Sequence, residues 1–227
     1  LPLPIRAIMI QMFDVCKVYP NNHTALTEIN LHINKGDFAF VTGQSGAGKT
    51  TLINLIFCAE SATRGQTIVN GVNLAKIRQS RIPHLRRSIG VVFQDFKLLN
   101  SRTAYENVVF ALEVTGAKRA EVKRKAWQAL KLVGLQNRLD STPLELSGGE
   151  QQRIAIARAI VNDPTILLAD EPTGNLDANI TQDIMELFQN INNRGTTLLV
   201  ATHNKTLAQR FATRHITLEK GRIIHRE

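Results

Sequence analysis

Residues 43–50, Gly43-Gln44-Ser45-Gly46-Ala47-Gly48-Lys49-Thr50, constrain this chain more than any other stretch. They sit between an apolar run, Phe38-Ala39-Phe40-Val41, and a run of helical character from Thr51 to Phe57. That is the pattern G-x-x-x-x-G-K-[ST] in the strand, loop and helix setting it requires. The residue types follow from the chemistry of a nucleoside triphosphate, whose crowded negative charge must meet donors with no bulky side chain in between. Gly43, Gly46 and Gly48 let the backbone turn and bring N–H groups close to phosphate oxygens. The start of the next helix adds free N–H groups and the positive end of its dipole. Lys49 supplies a point charge for the β- and γ-phosphates, and the Thr50 hydroxyl suits Mg²⁺.

Length and composition set the bounds around that loop. A chain of 227 residues fits one domain with room for an inserted subdomain. The Leu-Pro-Leu-Pro opening is too short and proline-broken for a secretory signal, so residues 1–8 are expected to be a leader and the domain to run over 9–227. No apolar run approaches the roughly 20 residues of a membrane helix. Cys16 and Cys58 lack metal-type spacing, point to a reducing compartment, and are expected to be small buried residues.

The formal charge of +9 asks for an anionic partner. It is concentrated in Lys76, Arg78, Arg81, Arg86 and Arg87, and again in Lys118, Arg119, Lys123, Arg124 and Lys125. Either these are solvated helix faces or they lie close to a membrane surface. No aromatic ladder interleaves with them, so nucleic acid is not the expected partner.

Short apolar stretches from Ile10 to Ile33 alternate with polar residues and turns, which predicts a small antiparallel sheet with one solvated face. Tyr19 lies in it, as strand surface or as a stacking platform for a nucleotide base. Ile89 to Phe93 reads as a buried strand ending at Gln94, a strand cap or a ligand contact at the carboxyl edge of a sheet. Residues from about 103 to 161 then carry helical periodicity within an expected inserted helical subdomain over about 95–161, with Trp127 on its apolar face as core. Strand character returns at Thr165 to Ala169 and Thr197 to Thr202, with a helix between them over about 178–190. That is a parallel βαβ unit in an α/β fold with a mainly parallel core sheet. A hairpin turning at Lys220-Gly221 ends the chain.

Two of these strands end in reactive groups. Asp170-Glu171 places one carboxylate to hold a metal, through water, and another to orient and deprotonate an attacking water. His203, ending the next strand, faces the γ-phosphate as a donor or is structural. A second anion cradle opens at Leu146-Ser147-Gly148-Gly149-Glu150-Gln151, with Ser147 as N-cap and two glycines exposing N–H groups. One triphosphate cannot readily use both cradles, which points to a dimer in which each chain caps the other's nucleotide.

Taken in order, the phosphate loop, Gln94, the Leu146 to Gln151 stretch, Asp170-Glu171, Asn175-Leu176-Asp177 and His203 resemble the ABC-type ATPases over about residues 9–227. The resemblance implies a P-loop ABC ATPase fold with a RecA-like core, and ATP and Mg²⁺ as cofactors. It implies that Gly43 to Thr51, with Gln44, Ser45 and Ala47, bind the nucleotide, and that Tyr19 stacks on adenine. Thr50, Gln94 and Asp170 would serve the metal, Glu171 would be the general base, Gly148, Glu150 and Asp177 would join Ser147 and Gly149 in nucleotide binding, and Ser147 and Gly149 would act in trans across an ATP-dependent homodimer.

Within that family, Phe93 to Leu99, Thr103 to Val108 and Ile184 to Phe188 look most like the FtsE cell-division branch, whose partner is the integral membrane protein FtsX. This implies a cytoplasmic chain peripheral on the inner membrane. The expected docking groove lies between the Gln94 loop and the helical block, floored by Asp95, Phe96, Leu98 and Leu99, unless the apolar three pack into that block. Asn204 departs from the family, where Asp usually follows the histidine. A lipoprotein-release or macrolide-export ATPase is the alternative. A DNA-maintenance ATPase is remote, since the block between the two cradles lacks sustained heptads. A non-hydrolysing subunit is disfavoured by the presence of both Glu171 and His203.

Overall fold

A computed structural model of the chain describes residues 7–226, so the expectation for residues 1–6 lies outside the described residues. Strand β1 (Ile8–Val18) includes Ile8, paired with Asn34, so the sheet starts one residue ahead of the expected boundary. It runs antiparallel to β2 (Thr24–Asn34). β3 (Phe38–Thr42) leaves for a second sheet, while β4 (Arg64–Val69) and β5 (Val72–Asn73) complete the first in the order β2-β1-β4-β5. Along β2 the alternation is explicit: Ile29, Leu31 and Ile33 are buried, while Glu28 and His32 are exposed. This is the half-solvated antiparallel sheet the sequence predicts.

The second sheet adds β6 (Ile89–Val92), β7 (Ile166–Asp170), β8 (Thr197–Thr202), β9 (Arg214–Glu219) and β10 (Arg222–Arg226). Its order is β10-β9-β3-β8-β7-β6, parallel except for β10. The closing turn carries Lys220 at φ 45° and Gly221 at φ 75°, the two left-handed residues a tight hairpin needs. The central strands β3, β6, β7 and β8 are covered on both faces and read as near-continuous apolar runs, whereas β9 alternates, with Ile216 and Leu218 buried between polar residues. Phe38, Phe40, Leu167 and Val200 belong to one core, and Ala39, Val41, Leu168 and Ala201 to the other.

Helix α1 (Lys49–Ile56) fills the second core beneath the antiparallel sheet, with the short α2 (Ile82–Arg87) beside it. Three helices are inserted between β6 and β7: α3 (Ala104–Val114), α4 (Arg119–Leu132) and α5 (Gly148–Ile160). Val108, Leu112, Leu130 and Ile154 from this block share the first core with the sheet. Both α3 and α5 start with reciprocal capping boxes, Thr103 with Glu106 and Ser147 with Glu150. α6 (Ala178–Asn193) joins β7 to β8 and runs three residues beyond its expected end; α7 (Lys205–Phe211) joins β8 to β9.

Trp127 is not core. The buried stripe of α4 is Ala126, Ala129 and Leu130, and Trp127 lies beside that stripe on the outward face. Trp127 is 43% exposed, with Lys131 Nζ 4.9 Å from its ring centroid. Both cysteines are free and only half-buried, which corrects the expectation of buried residues; burial still pushes the Cys58 thiol up, opposed by the Arg86 charge.

Candidate functional site

Parallel pairing assembles the site. Thr42 pairs with Thr202, Ala201 with Asp170, and Val92 with Ala169, so β3, β8, β7 and β6 all end at one edge. The phosphate loop, His203, Glu171 and Gln94 leave from that edge, where open α/β sheets hold ligands. A cavity of about 600 Å³ opens there, lined by Tyr19, Gln44, Ser45, Gly46, Gly48, Lys49, Thr50, Thr51, Gln94, Glu171 and His203.

The loop is built so that only glycine fits at its ends. A Cβ on Gly43 would collide with the Leu218 carbonyl oxygen, and one on Gly48, at φ 104°, would lie 2.6 Å from the Ala25 carbonyl oxygen. Ala47 is buried beneath the loop. Lys49 donates to the carbonyl oxygens of Gly43 at 2.8 Å and Gln44 at 3.2 Å, and its ammonium meets Glu171 Oε1 at 3.1 Å.

Glu171 links both sides of the cavity. Its other oxygen, Oε2, lies 3.0 Å from His203 Nδ1 and accepts the His203 backbone N–H at 3.3 Å. The residue has φ 46°, an uncommon backbone conformation for a glutamate, held by its own N–H donating to the Ala201 carbonyl at 2.8 Å. That left-handed residue ends the strand and starts the tight turn closed by Gly174 N–H to the Glu171 carbonyl at 3.2 Å.

Asp170 lies below, with Oδ1 buried and without a hydrogen-bond partner. Burial pushes its carboxyl above the usual range, the Thr50 hydroxyl opposes this by hydrogen bonding, and the nearby Glu171 charge adds to it. An orphaned carboxylate oxygen beside a threonine hydroxyl is a donor set with the chemistry of a hard cation such as Mg²⁺. The residues present therefore fit that ion.

Tyr19 hangs over the cavity rim, its hydroxyl 3.3 Å from Thr51 Oγ1 and its ring 4.9 Å from Lys17 Nζ. The turn that places it, Tyr19 N–H to the His23 carbonyl at 2.9 Å, also brings His23 to the rim. Nothing in the sequence around His23 marks it. Gly174, facing Gln94, was also not singled out, though it follows the acidic pair closely. Arg158 on α5 is a third omission: its guanidinium donates to the carbonyls of Phe96 at 2.7 Å and Lys97 at 2.6 Å, both left-handed residues of the loop after Gln94. This ties the Gln94 loop to the helical block, and burial pulls the Arg158 guanidinium below its ordinary value.

The second cradle lies apart from this cavity. Ser147 Oγ accepts the Glu150 N–H at 3.3 Å, and Glu150 Oε2 accepts from the Ser147 N–H and hydroxyl, each at 2.9 Å. Gly149 is buried, and a Cβ there would meet Ile180 Cγ2 at 2.8 Å; Gly148 sits beside Leu176. Asp177 Oδ1 caps α6 by accepting from the N–H groups of Asn179 and Ile180, each at 3.0 Å. None of Ser147, Gly148, Gly149, Glu150 and Asp177 lines the cavity that holds Lys49.

An apolar groove of about 550 Å³ runs between the sheet edge and the helical block. Its walls are Phe93, Lys97, Phe110, Val114 and Arg158 rather than the four residues expected as its floor. Leu98 packs against the first core, Phe96 and Leu99 are half-buried, and Asp95 is exposed beside Lys97.

The sequence matches the ABC transporter family over residues 26–174. The cell division ATP-binding protein FtsE of Streptococcus pneumoniae serotype 2 (strain D39) is 49% identical over 219 residues, covering 96% of this chain and 95% of that protein. FtsE of Bacillus subtilis (strain 168) is 48% identical over 219 residues, covering 96% of both. Among solved structures, a dimeric ATP-binding cassette in a post-hydrolysis state, bound to ADP and Pi, superposes with a TM-score of 0.88 at 36% identity, covering 96% of this chain and 98% of the other.

Proposed function

This chain belongs to the ABC family of ATPases and, within it, to the FtsE cell-division branch; it is an ATP-hydrolysing subunit, and we propose that Glu171 is its general base. The observation that carries the assignment is the position of Glu171, bonded to both Lys49 and His203 above the orphaned oxygen of Asp170. A γ-phosphate drawn to Lys49 brings its attacking water within reach of the carboxylate that Lys49 now holds. His203 orients Glu171 and donates toward the phosphate. Thr50, Asp170 and Gln94 would hold Mg²⁺, which would supply charge neutralisation at the phosphate oxygens.

The nucleotide is sandwiched in an ATP-dependent homodimer. Ser147, Gly148 and Gly149 of one protomer do not line their own Lys49 cavity, and they supply N–H groups to the partner's triphosphate, with Asp177 at the same seam. The load is an integral membrane protein of the FtsX type on the cytoplasmic face of the inner membrane. It seats a helix in the groove between Phe110 and Val114 of α3 and the Gln94 loop. Arg158 is the mechanical link, since it clamps the Gln94 loop to α5, the helix that begins at Ser147.

Phosphate release by the purified chain should require Mg²⁺ and vanish in Lys49→Ala. Co-expression with an FtsX-type protein, extraction in detergent and affinity capture should recover both chains together. Activity that persists in Lys49→Ala would sink the site, and two chains that never co-purify in detergent would sink the partner.

A further inference from the structure

We propose that the exposed face of α4 docks directly onto an anionic phospholipid surface, independently of any protein partner. Arg124, Trp127, Gln128 and Lys131 follow one another at helical spacing, and all four are exposed. They form one wall of an open cleft of about 790 Å³ whose far side carries Asp163 and Arg194. Asp163 is the one carboxylate among the lining residues, and Lys125 already neutralises it at 3.0 Å. Arg124, Lys131 and Arg194 have no carboxylate partner among the described residues and give the cleft a net positive charge.

Trp127 explains why the cleft is more than a solvated basic face. A large indole left 43% exposed forfeits the burial that a tryptophan ordinarily gains, and it stands inside the cation cluster with Lys131 stacked on it. An apolar ring with a polar N–H, ringed by cations, suits the headgroup level of a bilayer, where tryptophan is enriched and each nearby Lys or Arg gains from anionic lipid.

The shape argues against the other anions. Arg124 and Lys131 are spread over seven residues of helix, roughly 10 Å, so they match a plane of headgroups and do not converge on one phosphate. A single-stranded nucleic acid would want successive stacking platforms, and the cleft has one.

Position agrees with chemistry. Ile160, Val161 and Asp163 line this cleft, while Ala159 and Asn162 of the same segment line the apolar groove next to it, so the two surfaces share a rim. Arg86 and Arg87 extend the positive charge around that groove, where Lys97 is already paired with Asp95. The cleft sits at the amino ends of β7 and β8, preceded by Asp163 and Arg194, whereas the nucleotide cavity sits at their carboxyl ends. A chain held there lies on the bilayer with its nucleotide site free.

Trp127 is the only tryptophan, so emission excited beyond the absorption of the two tyrosines reads this site alone. The full chain, with no membrane protein present, is mixed with phosphatidylcholine vesicles with or without about 30% phosphatidylglycerol, an anionic lipid. We expect sedimentation with the anionic vesicles only, a blue shift of the emission, and loss of both as salt rises. Because each cation near such a surface is worth about fivefold, the R124E/K131E double variant should bind at least about 25-fold more weakly. Its ATPase rate should match that of the parent chain, which also reports that it is folded. Equal binding to neutral vesicles, an unshifted emission, or undiminished binding by the folded double variant would overturn the proposal. So would the same blue shift with glycerophosphate or a single-stranded oligonucleotide in place of vesicles.

Discussion

Lys49 and Glu171 meet at 3.1 Å with side chains only 7% and 13% exposed, so the ammonium and the carboxylate neutralise one another. Burying either charge alone would be costly, and pairing offsets that cost. Under the proposed assignment the pair is also a latch: a triphosphate takes over Lys49, and Glu171 gains a free oxygen to accept a proton only once substrate is present. Glu171→Gln keeps the side-chain shape and can still hydrogen-bond His203, but it cannot act as a base. Hydrolysis should fall by about 10² to 10⁴-fold with ATP affinity retained, and the ATP-bound dimer should accumulate. Single-turnover phosphate release and gel filtration with ATP check the two halves; a variant that turns over at the parental rate identifies another base.

The same geometry shows why so much of this site was legible beforehand. Gln94, Glu171 and His203 each lie at the end of a short, largely apolar strand and Lys49 at the end of the loop that follows another, and parallel strands of similar length bring such ends to one edge. The exposed indole was not legible, because Trp127 is one residue from the buried stripe at Ala126 and Leu130, and helical spacing alone does not separate neighbours at a stripe's margin. Phe110 and Val114 are four residues apart on α3, 37% and 65% exposed, an apolar pair facing out while Val108 and Leu112 face in. That outward pair is visible in the i, i+4 spacing of the sequence, whereas Phe96, Leu98 and Leu99 are apolar loop residues with no periodicity to show which way they face. Arg158 was hidden for a different reason: it acts on two backbone carbonyls some sixty positions away, 61 and 62 residues in sequence, and side chain to backbone contacts at that range leave no local pattern.

Asp170 couples stability to pH and to metal. Burial holds its carboxyl above the ordinary value of 3.8, so the folded, nucleotide-free chain binds that proton more tightly than the unfolded chain does. A group raised in this way stabilises the fold below its unfolded value and loses that contribution as pH rises through its folded value. At neutral pH the ionised carboxylate therefore destabilises the fold. Asp170→Asn should raise the melting temperature at pH 7 by a few degrees, about 2–4 °C per kcal/mol in a chain of this size. The gain should shrink as pH falls toward 4, while Mg²⁺ affinity with ATP drops about 10 to 100-fold. Thermal scans from pH 4 to 8, with and without MgATP, test both; a variant less stable than its parent at pH 7 would contradict the sign.

Ser147 separates a local role from one across the dimer. Ser147→Ala removes the cap to Glu150 N–H and should lower stability by about 1 kcal/mol. Ser147→Arg adds a bulky cation where the partner's triphosphate is proposed to bind, so it should abolish ATP-dependent dimerisation while monomer affinity for a fluorescent nucleotide stays within about twofold, since surface changes away from a site couple weakly to it. Light scattering and nucleotide titration read the two effects separately. A collapse of monomer affinity in Ser147→Arg would place this cradle on its own chain's nucleotide.

The groove on α3 gives the last test, and it is kept apart from the lipid surface by its readout. Val114 is 65% exposed, so an aspartate there costs the fold little, but in a helix-filled groove it would leave a charge buried without a partner. Truncating or charging the centre of such an interface typically costs 2 kcal/mol or more, about thirtyfold in affinity. Val114→Asp should therefore lose affinity capture of an FtsX-type protein in detergent, where no bilayer is present, while keeping ATP-dependent dimerisation, basal ATPase activity and binding to anionic vesicles. The R124E/K131E double variant should do the reverse, co-purifying in detergent but failing on vesicles. If Val114→Asp still co-purifies fully, with its ATPase activity intact, the partner helix does not lie against α3.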